Sequence, residues 1–289
     1  MRIYAFAIYL FLYLPIGIIA LFSFSAGRSA SQLQGFSTQW YSKALDNPFV
    51  IDALKTSASV ALTSAFLSCL LGTMAAIALT GLKGKLRVLF DALIYIAVMI
   101  PGIVIGIATL IALVTVFNTV NPRLQAVTGL KLSLGYGSLI AAHVLFTMSL
   151  VIILVRARID GMDRSLLEAS FDLGAGPIGT FRQVTLPMLT PAIMAGFLLS
   201  FTFSFDDFII AFFVAGPETT LPIYIFSSIR RGVTPEINAI GTMVMVFSAA
   251  ACLRTNHSPA RETGRSLDAK SISSACLPPV LRDHSREKS

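Results

Sequence analysis

Apolar residues in this chain come in long unbroken runs, separated by short polar stretches, rather than at the alternating spacing of a half-buried strand. A hydrocarbon layer about 30 Å thick needs roughly 20 apolar residues of helix to cross it. Six runs approach that length: Ile3 to Phe24, Ser57 to Leu79, Leu89 to Phe117, Ser138 to Leu154, Pro191 to Phe213 and Ala239 to Leu253. The pattern predicts an all-α integral membrane protein. Residues 1–56 read as a first transmembrane helix and an external loop, 57–253 as a core holding spans two to six, and 254–289 as a polar, disordered tail.

Details of the runs refine this. The first lacks an A-x-A-like site directly after its apolar stretch, so it reads as an uncleaved span rather than a signal peptide. The third contains "MIPGIVIG", where Pro101 and two glycines would kink or loosen the helix. Such breaks survive in lipid only where neighbouring helices satisfy the freed backbone groups, which implies a packed bundle. The sixth, "AIGTMVMVFSAAACL", is the shortest.

Composition removes the soluble alternatives. Of the 289 residues 55% are hydrophobic and 13% charged, and mean hydropathy is +0.78; a soluble domain carries about a quarter charged residues. The net charge of +7 is no nucleic-acid signal, because 7 of the 22 basic residues lie after Leu253 and the others occupy loops beside apolar runs. Three cysteines form no paired framework, and Cys69 reads as a small core residue. Basic totals barely orient the chain. The compact "GLKGKLR" and "VRARID" loops favour the N-terminus inside.

Between the fourth and fifth runs lies the polar piece "RSLLEASFDLGAGPIGTFRQVTLP". Ser165 followed by Glu168 fits a capping box, Gly174 stands where a left-handed helix end is wanted, and Pro177 restarts a helix in its first turn. Thr190 then reads as the cap of a span opened by Pro191. Two short helices joined by a glycine turn follow, with Leu166, Leu167, Ala169, Phe171 and Leu173 supplying apolar surface. An amphipathic connector resting on the bilayer and a docking surface both satisfy this pattern.

Glu168-Ala169-Ser170, three residues, Gly174, nine residues, then Val184, one residue, Leu186-Pro187 resembles the EAA motif of ABC-importer permeases, with Ser170 in place of Ala and Val184 in place of Ile. The resemblance covers roughly residues 3 to 250. It implies a six-helix type I permease bundle in the bacterial cytoplasmic (inner) membrane, whose cytoplasmic coupling helices dock on an ATP-binding cassette subunit dimer. A second permease subunit and an external or periplasmic substrate-binding protein would complete the machine. The chain has no G-x-x-x-x-G-K-[ST] phosphate loop. A transport subunit without its own ATPase site is therefore expected, with no cofactor or metal of its own and ATP used by the partner.

The fifth run places Asp206 and Asp207 among Phe201, Phe203, Phe205 and Phe208. An ionised acid inside a span costs at least about 2.5–3.5 kcal/mol and usually faces a bundle interior or a water-filled cavity. Adjacent helical residues diverge by about 100°, so only one points squarely at a path. Capping a local break, or reaching an outer interface, is the competing use of the pair. "FSFDDFIIAFFVAGPETTLPIYIFSSIRRGVTPEINAI" is similar to spermidine/putrescine permeases of the PotC type, which implies a cation path formed by Asp206, Asp207 and Phe203. Importers of iron, phosphate or a sugar derivative share parts of this stretch, and a secondary transporter or channel is the reading from another class. His143 reads as a packed, hydrogen-bonded histidine, Asp91 as an interfacial acid beside Arg87, and Trp40 and Tyr41 as outer-interface or partner-contact aromatics.

Overall fold

The computed structural model describes residues 2–27, 33–232 and 234–256. These residues divide into two units, 1–242 and 243–289. In the first, the apolar α1 (Arg2–Phe22) leads into a short helix α2 (Gln39–Asp46) and the long α3 (Pro48–Thr80). The side chain of Asn47 caps α3 by accepting from the Phe49 N–H at 3.1 Å, and Pro48 occupies the first helical position, where its missing N–H costs nothing. The helix therefore starts at Pro48, upstream of the expected Ser57, and runs through the 56/57 boundary.

The expected third span is two helices, α4 (Lys85–Met99) and α5 (Gly102–Thr128). Pro101 does more than kink the run. It forces Ile100 into extended conformation (φ −68°, ψ 134°), which ends α4 and lets α5 restart. Next come α6 (Tyr136–Asp160), α7 (Arg164–Asp172) and α8 (Pro177–Thr180). A π-turn over Phe181–Thr185 joins α8 to α9 (Leu186–Asp206). The helices α10 (Ile209–Val214), α11 (Leu221–Arg231) and α12 (Pro235–Asn256) follow.

Pro48–Thr80, Gly102–Thr128, Tyr136–Asp160 and the run Pro177–Asp206 are each long and apolar enough to cross a membrane. The expected sixth run lies within α12, whose 22 residues exceed it. Of the second unit only the helical residues up to Asn256 are described. The first three residues of the expected disordered tail, 254–256, are helical as the end of α12, and the rest of it falls on residues outside the described ones.

The core forms where α3, α6 and α9 pack together. Helix α3 buries a small-residue face comprising Ala61, Ser64, Ala65, Ser68, Gly72 and Ala76, which lets its neighbours approach closely. A Cβ added at Gly72 would lie 2.9 Å from Val151 Cβ, so α6 closes against bare backbone there. Cys69, Ala76 and Leu79 of α3 meet Val151, Ile152 and Val155 of α6 and Leu189 of α9. Cys69 is thus the core residue expected. A second cluster joins Val60 and Leu139 to Ile210, Ala211 and Val214 of α10.

Trp40 corrects its expectation as a contact aromatic. It is 8% exposed and donates from Nε1 to the Ser25 carbonyl at 2.7 Å, while Tyr41 shares a hydrogen bond with Ser23 Oγ at 2.7 Å. Both rings pin α2 to the end of α1. At the opposite end Asp91 of α4 takes Arg156 of α6 as well as its helix neighbour Arg87 (3.9 Å), a cross-helix ion pair that the sequence did not reveal.

Candidate functional site

Two polar interruptions concentrate the chemistry. In the first, α7 begins with Asp163, whose Oδ1 accepts from the Ser165 N–H at 2.9 Å. Asp163 is therefore the cap, and Ser165 stands inside the helix. That corrects the expected Ser165–Glu168 capping box: a carboxylate two residues ahead reaches the same orphan N–H groups. This bond and the Ser165 hydroxyl hold the Asp163 carboxyl below the ordinary carboxylate range.

The exit from α7 matches its expectation. Gly174 has φ +81°, its N–H donates to the Phe171 carbonyl at 2.9 Å, and the Ala175 N–H donates to Ser170 at 3.1 Å, the two bonds of a Schellman end. Pro177 then opens α8 at its first position.

The second element is not a short helix. It continues through the π-turn into α9, so Thr190 and Pro191 lie inside a continuous helical run. Thr190 Oγ1 donates back to the Leu186 carbonyl at 2.9 Å instead of capping. Pro187 has no N–H to give to Gln183, and the wider π-turn ends next to it, absorbing the missing bond without stopping the helix.

The surface these elements present is mixed. Glu168, Ala169, Gly174, Leu186 and Pro187 are exposed, and Val184 is half-buried. Leu173 is 89% and Ile178 83% exposed, one on each side of the glycine turn. Ser170, where the motif carries Ala, shares a 3.0 Å hydrogen bond with Thr180 and ties α7 to α8. On its inner side α7 contributes Leu167 to a cavity of about 450 Å³ that also contains Arg87, Arg156, Asp160 and Thr185.

The second interruption is the acid pair. Asp206 is the last residue of α9, and Asp207 is extended (φ −71°, ψ 120°) before α10 begins. The expected fifth span through Phe213 is thus broken at the acids. Asp207 Oδ2 accepts from the Ala211 N–H at 2.9 Å; standing just ahead of Phe208, the α10 N-cap, it satisfies a free N–H of the first turn and serves as the local cap of the break. Asp206, Asp207, Phe203, Thr202, Phe208 and Ile209 line a groove of about 440 Å³. Asp206 is exposed there and Asp207 half-buried.

Aromatic rings surround this groove unevenly. Phe208 packs on Phe226 of α11 at 4.5 Å between centroids, and Phe203 meets Phe146 edge-on at 6.0 Å. Phe201 and Phe205 stack on each other at 5.9 Å and are not among the groove's lining residues. His143 is packed and hydrogen-bonded, as its sequence setting suggested. Its ring is 2% exposed, Nδ1 lies 2.6 Å from Ser204 Oγ, and Nε2 is 3.6 Å from Asp207 Oδ2. No sequence spacing linked positions 143, 204 and 207; only the packing of α6 on α9 does. Among the described residues no group of three His, Cys, Asp or Glu is placed to hold a metal ion.

A bundle of helices long and apolar enough to span a membrane, broken at an acidic step and carrying a structured polar segment outside the core, defines a multi-pass membrane protein. Residues 68–256 match the family described as binding-protein-dependent transport system inner membrane component, and the chain belongs to that family. It is a multi-pass inner-membrane permease of the ABC-importer class.

The chain is 35% identical over 243 residues to the spermidine/putrescine transport system permease protein PotC of Escherichia coli K12, covering 84% of this chain and 87% of that one. It is 36% identical over 238 residues to the putrescine transport system permease protein PotI of the same organism, covering 81% and 82%. A solved bacterial ABC transporter involved in the import of the acidic polysaccharide alginate shares the fold, with a TM-score of 0.70 and 17% identity over 91% of this chain and 95% of that one. The expected type I permease fold is therefore established.

Proposed function

We propose that this permease belongs to an ATP-driven importer of polyamines, and that the groove at the α9–α10 break is part of the solute's path. The observation that carries this reading is the exposed Asp206 carboxylate beside Asp207 and the rings of Phe203 and Phe208. Polyamines alternate ammonium groups with methylene stems. Carboxylates offset the lost hydration of the ammoniums, while aromatic rings accept the stems and attract the charges through their faces. A phosphate or sulfate would be repelled by the acids, and a neutral sugar would gain nothing from them. The named functions of PotC and PotI support the same solute class.

The other interruption is the proposed coupling surface. Glu168, Ala169, Ser170, Gly174, Val184, Leu186 and Pro187 dock on one protomer of an ATP-binding cassette dimer, which binds and hydrolyses the ATP. Exposed Leu173 and Ile178 give that contact apolar area. A second permease closes the other side of the path, and an external binding protein delivers the solute. This subunit transduces and hydrolyses nothing.

The test is uptake by the complete complex in proteoliposomes. Asp206→Asn together with Asp207→Asn cuts spermidine or putrescine uptake by at least about tenfold, equal to about 1.4 kcal/mol of barrier. Solute affinity of the external binding protein stays unchanged. Wild-type rates in the double variant, or a complex that carries only neutral or anionic solutes, overturn the polyamine path. Failure to capture an ATPase through residues 163–187 overturns the coupling assignment.

A further inference from the structure

The imidazole of His143 has a nitrogen with nothing to bond. Its Nε2 is buried without a hydrogen-bond partner and points at Asp207 Oδ2 from 3.6 Å, too far for a hydrogen bond but close for a charge contact. A buried donor left in this state costs about 1–3 kcal/mol unless something offsets it. Here the offset is the carboxylate itself.

With Asp207 ionised, the chemistry of the neighbours favours one tautomer. A carboxylate only accepts, so an uncharged ring facing Asp207 must present N–H at Nε2. Nδ1 is then the acceptor and takes the Ser204 hydroxyl, 2.6 Å away. Ser204 thereby fixes the tautomer, in the way a second partner commonly orients a working histidine. Ser204 is itself buried on α9, three residues before the Asp207 break, while His143 comes from α6. The brace crosses between helices.

We infer that His143 is a positioning residue: oriented by Ser204, it holds the Asp207 carboxylate in the α9–α10 break and leaves Asp206 as the carboxylate that meets the solute. Three observations converge on this division. Asp207 already serves the break by accepting from Ala211 N–H. The orphaned Nε2 is aimed at the same oxygen. Asp206, one residue earlier, is exposed in the groove. A brace of this kind keeps α9 and α10 in fixed relation, so the lining rings Phe203 and Phe208 face one groove from the two sides of the break. The inference rests on the solute path proposed above and adds to it the roles of the individual groups.

A double-variant cycle on the whole reconstituted complex separates positioning from plain packing, because residues that act through one another show non-additive effects. His143→Leu lowers polyamine uptake at least about tenfold, and in an Asp207→Asn background it adds less than about twofold. Combined with Asp206→Asn, the two losses multiply. His143→Gln, which returns an amide N–H near the Nε2 position, restores most of the uptake lost in His143→Leu. Should His143→Leu fail to assemble, Ser204→Ala takes its place in the cycle with Asp207→Asn, with the same non-additivity expected.

Losses that multiply between His143→Leu (or Ser204→Ala) and Asp207→Asn overturn the inference, as does a His143→Gln variant no better than His143→Leu. The two readings fail separately. Full uptake in Asp206→Asn with a non-additive His143–Asp207 pair removes the solute path and keeps the brace. Impaired uptake in Asp206→Asn with an additive His143–Asp207 pair removes the brace and keeps the path.

Discussion

In the 163–187 segment, side chains with apolar surface stand in the open: Leu173, Ile178 and Phe171 are all exposed, and the backbone is satisfied by its own caps and turns. At the α9–α10 break the arrangement is reversed. The backbone is interrupted within the bundle, Asp207 at the break takes the Ala211 N–H, and a side chain from another helix, His143 of α6, comes within 3.6 Å of that carboxylate. The first region is locally complete and outwardly unfinished, as the proposed docking surface requires. The second is satisfied locally by Asp207 and set against a buried histidine from a separate helix. The difference follows from solvent. Water satisfies loose backbone groups at an exposed segment, whereas inside a bundle every such group needs a protein partner.

The sharpest way to break this comparison is at the outward surface. Glu168→Lys and Gly174→Arg each abolish uptake while the protein still inserts, since reversing a charge or adding a long cation at a docked face costs far more than at a free one. ATPase capture with normal transport in both variants would show that the segment is only a connector. The double Asp206→Asn, Asp207→Asn variant ranks next, with its loss of about tenfold or more confined to cationic solutes.

Core closure gives a smaller effect, on stability. Gly72→Val places atoms where Val151 Cβ already lies 2.9 Å from the nearest new carbon. Overpacking of this sort costs about 1–3 kcal/mol. A lowered thermal midpoint of the detergent-solubilised complex, with solute preference unchanged, is the expected result; an unaltered midpoint would mean that α3 and α6 part easily.

The smallest change is Ser170→Ala. It removes the Ser170–Thr180 hydrogen bond and restores the motif's own residue. Thr180 is 3% exposed and loses its partner, so about 1–3 kcal/mol of local stability should go. Faster amide exchange over residues 164–180 with uptake within about twofold of wild type would agree with that cost. A collapse of uptake would mean that this hydrogen bond takes part in coupling.

Much of the 163–187 segment was legible because its signals are local. A glycine needing positive φ and a proline at a helix start each act within one turn of chain, and both fell where the sequence put them. The misreadings there were also local competitions: Asp163 outbid Ser165 as cap, and the π-turn carried the helix past Pro187 and Pro191. Pro101 was seen as a kink and is a full break, because Ile100 before it is pushed into extended conformation.

By itself the sequence determined the membrane class, the approximate spans and the spacing of the EAA-like motif. These depend on run length and residues a few positions apart. Only the tertiary structure decided that the acid pair divides, that Trp40 is buried, that Asp91 binds Arg156, and that His143, Ser204 and Asp207 meet. Each of those facts joins groups from separate elements. Apolar runs specify that helices will be buried in lipid or in one another, but they leave open which faces meet. That choice is made by close packing of small residues such as Gly72 against Val151, which sets helix spacing and so the distances between buried polar groups.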